Sequence, residues 1–391
     1  MAITTGILKE TFPGERRVAV TPRSCDILAK AKIQIVMERG AGTAAGFTDE
    51  QYASRGVQLT DRAGVFAAAD VVVQVRALGA NPDAGRADLG LLRPGQVVIG
   101  FGEPLTALPE AAALAATGAS FLAMELMPRI TRAQSMDALS SMATITGYRA
   151  VLLAASEMPK MLPMLMTAAG TITPAKILIL GAGVAGLQAI ATARRLGAIV
   201  SAYDVRAAAK EQVESVGGKF IELPIDSGAA EGQGGYAKAM DEEFYRRQRE
   251  LLTEVLREQD AVVTTAAVPG RKAPVLITRE MVEVMMPGAV IVDVAAERGG
   301  NCALTRPGET VHHAGVTILG PLNMPSLVPF HASQMYSGNV TAFLKLLISD
   351  GELHLDLEDE IVRETLVTHG GDVVHEKIKA ALAAAKEEIQ A

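Results

Sequence analysis

Residues 175–204 read AKILILGAGVAGLQAIATARRLGAIVSAYD, and that pattern leaves little choice but a parallel β–α–β unit. An apolar run at 176–180 leads directly into Gly181, Gly183 and Gly186. An Ala-, Leu- and Ile-rich segment follows, and a second apolar run ends at Asp204. Two strands joined by a helix-length connection lie parallel, because an antiparallel hairpin needs only a short turn. Each glycine has its own task in such a unit. The first permits a tight turn, the second lets backbone approach a phosphate, and the third lets the helix pack closely on the strand. The helix start adds amide donors and the positive end of the helix dipole, so the turn points to a dinucleotide pyrophosphate. Asp204 stands 21 residues beyond Gly183. A carboxylate there accepts adenosine-ribose hydroxyls and repels a 2′-phosphate, which favours NAD over NADP. Arg206 keeps the other reading open, since an arginine nearby pairs a 2′-phosphate.

This unit opens the second of two α/β series. GILKE, IQIVMERG, DVVVQV, VVIGF and SFLAMEL read as strands of the first, with helices expected at 22–31 and 108–117. DAVVTTA, AVIVDVA and VTILG read as later strands of the second. Several of these runs are apolar throughout, as strands of a parallel sheet covered on both faces require. A helical pattern spans about 135–165, with Tyr148, Val151, Leu152 and Ala155 on one face; Pro159 and Pro163 are expected to kink or end it. Residues 326–347 read as a helix returning the chain to the first domain, and HEKIKAALAAAKEEIQA as a solvated terminal helix. A chain of 391 residues is long for one core. The expected fold is α/β, with two Rossmann-like domains of parallel sheet and an NAD cleft between them: residues 1–139 plus 333–391, and residues 140–332.

Charge and composition narrow the partners. A net charge of −7 leaves no basic surplus to neutralise phosphates, so nucleic acid is not expected. Cys25 and Cys302 lie far apart without metal-ligand spacing; they read as reduced thiols of a cytosolic protein, and no metal site is expected. MAITTGILKE lacks the plan of a signal peptide, and no apolar run is read as reaching the roughly eighteen residues of a membrane span. The segment LPIDSGAAEGQGGYAKAM (223–240) holds four glycines. It reads either as a lid, with Tyr236 closing over a cofactor, or as a surface insertion.

Residues 129–141 read RITRAQSMDALSS, with two arginines, a glutamine and an aspartate but no histidine, lysine or cysteine. In its wider context MELMPRITRAQSMDALSS, this stretch resembles the proton-translocating NAD(P) transhydrogenases. So do MTAAGTITPAKILILGAGVAGLQAIATARRLGA, DVRAAAKEQVESVGGKF, GGYAKAMDEEF and VVTTAAVPGRKAPVLIT. The likeness is to their soluble NAD(H)-binding component, the leading piece of a split alpha subunit. It covers essentially the whole chain and is most specific at 124–141. It implies NAD(H) on this chain and NADP(H) on a partner, an NADP(H)-binding beta subunit. Membrane-spanning subunits would couple the hydride exchange to proton translocation. A homodimer attached peripherally to the cytoplasmic membrane is also implied. By resemblance the nicotinamide end falls to Arg129, Ile130, Gln134, Ser135, Met136, Asp137, Ala138, Leu139 and Ser140. The peptide groups of Ala182, Gly183 and Val184 take the pyrophosphate, and Asp204, Val205 and Arg206 the ribose. Gly235 with Tyr236, Gln248 and Ala267 supply further contacts.

Such an activity accounts for the missing titratable groups. A hydride passes from C4 of one nicotinamide to C4 of another with no proton gained or lost at the reacting carbons, so aiming the ring is enough. Arg129 suits the carboxamide oxygen, Asp137 the carboxamide NH₂, and Gln134 carries both a donor and an acceptor. If 133–141 is one helix, Gln134, Asp137 and Ser141 share a face, while Met136, Leu139 and Met142 pack inward. The alternative is an alanine dehydrogenase-like oxidoreductase, whose pattern shares the two-domain plan and an RVAVTP-like start. That pattern places a catalytic histidine and lysine in the N-terminal domain. Here the matching places hold Phe101, Gln74 and Arg76, and all six histidines fall after residue 311. Arg17, at the place of the carboxylate-binding arginine, reads as a remnant or a structural ion-pair residue. Glu297 matches the transhydrogenase pattern better than the dehydrogenase aspartate.

Overall fold

The structure is a computed structural model that describes residues 2–224, 242–267, 270, 272–349 and 351–390. The chain divides into two compact units, Met1–Met142 with Ser326–Ala391, and Ala143–Pro325.

In the first unit six strands run parallel in the spatial order Ser120–Ala123, Val97–Phe101, Val71–Arg76, Thr4–Ile7, Gln34–Glu38, Gln58–Thr60. This is the doubly wound order, reversing direction between Thr4–Ile7 and Val71–Arg76. The apolar runs occupy its centre, and Val71, Val72, Val73 and Ile99 are fully buried. The edge departs from the all-parallel sheet that the sequence leads one to expect. Leu366–His369 joins Ser120–Ala123 antiparallel, and Asp372–Val373 extends the sheet as a hairpin. Gly370 and Gly371 form its two-residue turn with φ of 58° and 94°. Two positive φ values in succession suit the right-handed strand twist and are cheapest for glycine. Helices Pro22–Lys30, Leu108–Ala116 and Pro329–Leu347 lie close to the expected ranges.

The second unit repeats the plan. Its sheet runs Lys219–Phe220, Ile199–Tyr203, Lys176–Leu180, Ala261–Thr264, Val290–Asp293, Val316–Leu319, all parallel, with Thr310–His313 antiparallel at the edge. Lys176–Leu180 is central, so its carboxyl end lies where the winding reverses, the place where open α/β sheets bind ligands. Helix Val184–Arg195 follows that strand. It meets helix Ala138–Glu157 at a contact only glycine allows: a Cβ on Gly147 would stand 2.0 Å from the Ala185 carbonyl oxygen.

The helical pattern expected over about 135–165 is shorter. Thr131–Met136 is a 3₁₀ turn, the α-helix runs Ala138–Glu157, and it stops before Pro159. Proline offers no N–H and crowds the preceding turn. Beyond it stands a small hairpin, Leu165–Thr167 paired with Gly170–Ile172, exposed along both strands. An 18-residue stretch of helix Ala138–Glu157 has a mean hydropathy of 1.2, so the helix is long and apolar enough to cross a membrane by length and composition. Ser140, Ser141 and Arg149 interrupt its apolar run, and Ala150, Val151 and Ala154 are fully buried in the core of the second unit.

Candidate dinucleotide site

Lys176–Leu180 delivers Gly181 to the reversal point with φ of 98°, a left-handed conformation that a side chain would strain. A Cβ on Gly181 would also stand 2.7 Å from Thr265 Oγ1, and one on Gly186 1.9 Å from the Gly181 oxygen. Gly183 differs from both. It caps helix Val184–Arg195 with an extended backbone and no side-chain cap, and the space where its Cβ would lie is open to 4 Å. The first-turn amides of a helix have no intrahelical partner. Open space above such amides fits a pyrophosphate approaching at Gly183 and Val184, so the residues present suit a dinucleotide.

Asp204 ends the neighbouring strand and is 9% exposed. Four N–H groups converge on its carboxylate: Ala182 at 2.8 Å, and from Arg206 the backbone N–H at 2.9 Å, Nε at 2.9 Å and Nη2 at 2.8 Å. Burial pushes this carboxyl up, but the Arg206 and Ala182 hydrogen bonds outweigh it and hold it below its ordinary value. Two consequences bear on the expected pyrophosphate and ribose contacts. The Ala182 N–H already has an acceptor within the protein, and the Arg206 guanidinium lies on Asp204, where its charge is neutralised. Val205 is half-buried beside them.

The segment 129–140 belongs to the other unit. Ala133 and Met136 are buried and anchor its 3₁₀ turn, Asn339 Nδ2 donates to the Ser135 carbonyl at 2.9 Å, and Arg132 pairs with Asp359 at 2.6 and 2.7 Å. On this base Arg129, Gln134 and Ser135 are exposed, with Ile130, Leu139 and Ser140 half-buried. Met136 and Ala138 are buried at 7% and 0%, so they offer a ligand backbone rather than side chain. A single helix over 133–141 does not form, because Asp137 breaks it. Its carboxylate accepts the Ser140 N–H at 2.8 Å and the Ser140 hydroxyl at 2.6 Å, capping the helix that begins at Ala138. Met142 packs inward as expected, and Leu139 does so only partly.

The remaining sequence-derived positions come from other segments of the chain. Gln248 is 1% exposed and donates to the Tyr203 hydroxyl at 2.8 Å. Ala267 is exposed just beyond strand Ala261–Thr264. Gly235 and Tyr236, with most of the 223–240 segment, lie outside the described residues. Sequence reasoning misses two further residues: Thr265, which stands at the glycine turn, and Asn301, which holds the neighbouring Ala266; the only signal for the latter is a polar residue after paired glycines in GGNC. A cavity of about 490 Å³ opens elsewhere, at the amino ends of the first unit's strands beside Ser120 and His369, and holds none of these residues.

Residues 6–146 match the model of the alanine dehydrogenase/PNT N-terminal domain, and residues 150–376 that of the alanine dehydrogenase/PNT C-terminal domain. The chain belongs to the alanine dehydrogenase/PNT family. Within the family it is 46% identical to the leading piece of the NAD(P) transhydrogenase alpha subunit of Rhodospirillum rubrum, over 94% of this chain and 97% of that one. The crystal structure of transhydrogenase from Sinorhizobium meliloti superposes with a TM-score of 0.84 at 45% identity, covering 95% of this chain and 100% of that one. An L-alanine dehydrogenase structure superposes at 0.81 with 25% identity, over 98% and 99%.

Both branches of the family share the fold, so the residues at the first unit's reversal point matter. Gln74 is buried, with its amide 3.4 Å from Asp88. Phe101 packs against the Tyr336 ring at 5.3 Å, and the Arg76 guanidinium lies 4.2 Å from the Phe12 ring. Arg17 forms a buried two-point ion pair with Glu15 at 2.8 and 2.6 Å, in keeping with a structural role. Burial pushes Glu15 up, but Arg17 outweighs it and brings it down to about 2. Two neighbouring acids behave oppositely. Burial raises Glu10 to about 8 with Glu15 adding repulsion, although the Val75 and Arg76 amides donate to it. Burial raises Glu125 to about 7 although Gly102 and Glu103 amides donate to one oxygen; its other oxygen is buried without a partner among the described residues. Neither acid stands out in the sequence, since a lone glutamate reads as surface charge.

Proposed function

We propose that this chain binds NAD(H) and presents its nicotinamide to NADP(H) held by a second protein, for direct hydride transfer. The observation that carries this reading is the end-to-end match at 46% identity to the leading piece of a transhydrogenase alpha subunit, against 25% to an alanine dehydrogenase. The nicotinamide ring, when bound, supplies the hydride; the protein's own residues supply position. The Gly181–Gly186 turn takes the pyrophosphate, and Asp204, already fixed by Arg206, favours a 2′-hydroxyl over a 2′-phosphate. Arg129 donates to the carboxamide oxygen, Asp137 accepts from its NH₂, and Gln134 meets a ribose hydroxyl or the partner nucleotide. None of these three acts as acid or base.

The second protein is an NADP(H)-binding beta subunit, and membrane-spanning subunits couple the exchange to proton translocation. The chain itself is a homodimer attached to the cytoplasmic membrane through them. The dehydrogenase alternative is disfavoured by Gln74 and Phe101 at places where that pattern has proton-transferring side chains. One assay separates the two readings: NADH and an oxidised NAD analogue are mixed with the chain, with and without the NADP(H)-loaded partner. Hydride exchange that requires the partner supports the proposal. Alanine-dependent NAD reduction by the chain alone overturns it.

A further inference from the structure

The wall of the glycine turn is not built by the turn itself. The Thr265 hydroxyl lies 3.0 Å from the Gly181 carbonyl oxygen and 3.3 Å from that of Leu180, and the Thr265 N–H donates to Leu180 at 2.7 Å. Ala266 comes next, its nitrogen 3.2 Å from where a Gly181 Cβ would be. Ala266 is in turn held by one side chain. Asn301 is fully buried; its Nδ2 donates to the Ala266 carbonyl at 2.8 Å and its Oδ1 accepts the Ala266 N–H at 3.1 Å. The same Nδ2 donates to the Pro274 carbonyl at 2.8 Å. An amide that meets both the N–H and the C=O of one residue removes that residue's freedom to rotate.

Asn301 is itself fixed from behind. Asp293, fully buried at the end of its strand, accepts the Asn301 N–H at 2.7 Å, the Cys302 N–H at 2.9 Å and the Thr305 hydroxyl at 2.6 Å. The Thr264 hydroxyl, adjacent to Thr265, donates to it at 2.9 Å. A Cβ on Gly300 would collide with this carboxylate at 2.7 Å, which explains the glycine preceding Asn301.

We propose that Asn301 is a positioning residue of the dinucleotide site, locking Ala266 against the glycine turn so that the pyrophosphate meets a preformed loop. The inference rests on the reading that this turn binds NAD(H). No isostere replaces the asparagine. Aspartate loses both donated bonds, and alanine leaves three partly buried backbone groups without their side-chain partner.

The test measures NADH affinity and thermal stability of the full chain for Asn301→Ala, Asn301→Asp, Thr265→Val and Met281→Ala. Met281 is a buried core residue of the same unit, on helix Arg279–Glu283, and serves as a control for general destabilisation. The expected result is NADH binding weakened at least about tenfold in folded Asn301→Ala and Asn301→Asp, and in the same direction for the shape-conserving Thr265→Val. Met281→Ala loses stability but binds as the wild type does. Faster amide exchange at Ala266 and Ala267 accompanies the Asn301 changes. Folded Asn301 and Thr265 variants that bind NADH within about twofold of wild type overturn the proposal. If Asn301→Ala does not fold, Thr265→Val decides. A wild-type chain that binds no NADH overturns instead the reading on which this one rests.

Discussion

On the proposed function Asp137 combines two tasks that substitution can separate. It caps helix Ala138–Glu157 through Ser140, and each carboxylate oxygen retains a lone pair for a carboxamide NH₂. Asparagine caps a helix nearly as well, whereas alanine costs about 1 kcal/mol. Asp137→Asn is therefore expected to leave stability almost unchanged while hydride exchange falls at least about tenfold and NADH binding changes little. Arg129→Ala should behave alike in steady-state exchange and NADH titration. Equal losses in binding and transfer would mean the segment merely anchors the nucleotide. At the proposed ribose end, Asp204→Ala removes the carboxylate and releases the Arg206 guanidinium from its ion pair. Affinity for NADPH relative to NADH should rise at least about tenfold. An unchanged preference, read by fluorescence titration with both nucleotides, would contradict the assignment. The acid at the strand end and the arginine two residues on are legible as a pair of alternatives. Their bonding to each other is not, because local pattern does not show which way a side chain turns. Asn301 is beyond reach for a related reason: its partners, Ala266 and Pro274, lie 27 or more residues away in sequence.

Central strands and the helices Pro22–Lys30, Leu108–Ala116 and Pro329–Leu347 follow their periodicity closely. The five strands read in the first series and the central strands of the second all form, since continuous apolar runs have no other place to go. Peripheral elements escape such reading. The hairpin Leu366–His369/Asp372–Val373 is announced only by Gly370–Gly371, and Leu165–Thr167/Gly170–Ile172 has no buried face to impose a pattern. The helix beginning at Ala138 instead of about 135 shows one local bond overriding periodicity: the Asp137 cap satisfies Ser140, and the preceding turn tightens to 3₁₀. The glycine contact between helices gives a direct test. Gly147→Ala drives a methyl to 2.0 Å from a backbone oxygen that flexible side chains cannot relieve. Chemical denaturation should show a loss of at least about 1–3 kcal/mol. The gain in stability usual for Gly→Ala within a helix would refute the close packing.

For the whole molecule, proton linkage sets the pH profile. Glu10 at about 8 and Glu125 at about 7 keep a proton in the folded state at pH values where the unfolded chain has lost it. Stability therefore falls as pH rises from the ordinary carboxyl value toward 8, by at most about 1.4 kcal/mol per pH unit for each proton retained. Glu15 works the other way: its contribution is present above the ordinary value and is lost as pH falls toward about 2. Urea denaturation between pH 5 and 9 should show the decline, and Glu10→Gln should flatten it; a slope unaltered by Glu10→Gln would contradict the origin given. Isotope transfer decides whether the chain positions a ring and moves no proton at the reacting carbons. NADH deuterated at the transferred C4 position is supplied to the chain together with its NADP⁺-loaded partner, in ordinary water, and the NADPH formed is analysed by mass spectrometry. The deuterium should arrive at C4 of NADPH without dilution by solvent hydrogen. Solvent hydrogen at that carbon, or NADH oxidation that proceeds on an oxoacid without the partner, would contradict a purely positioning role.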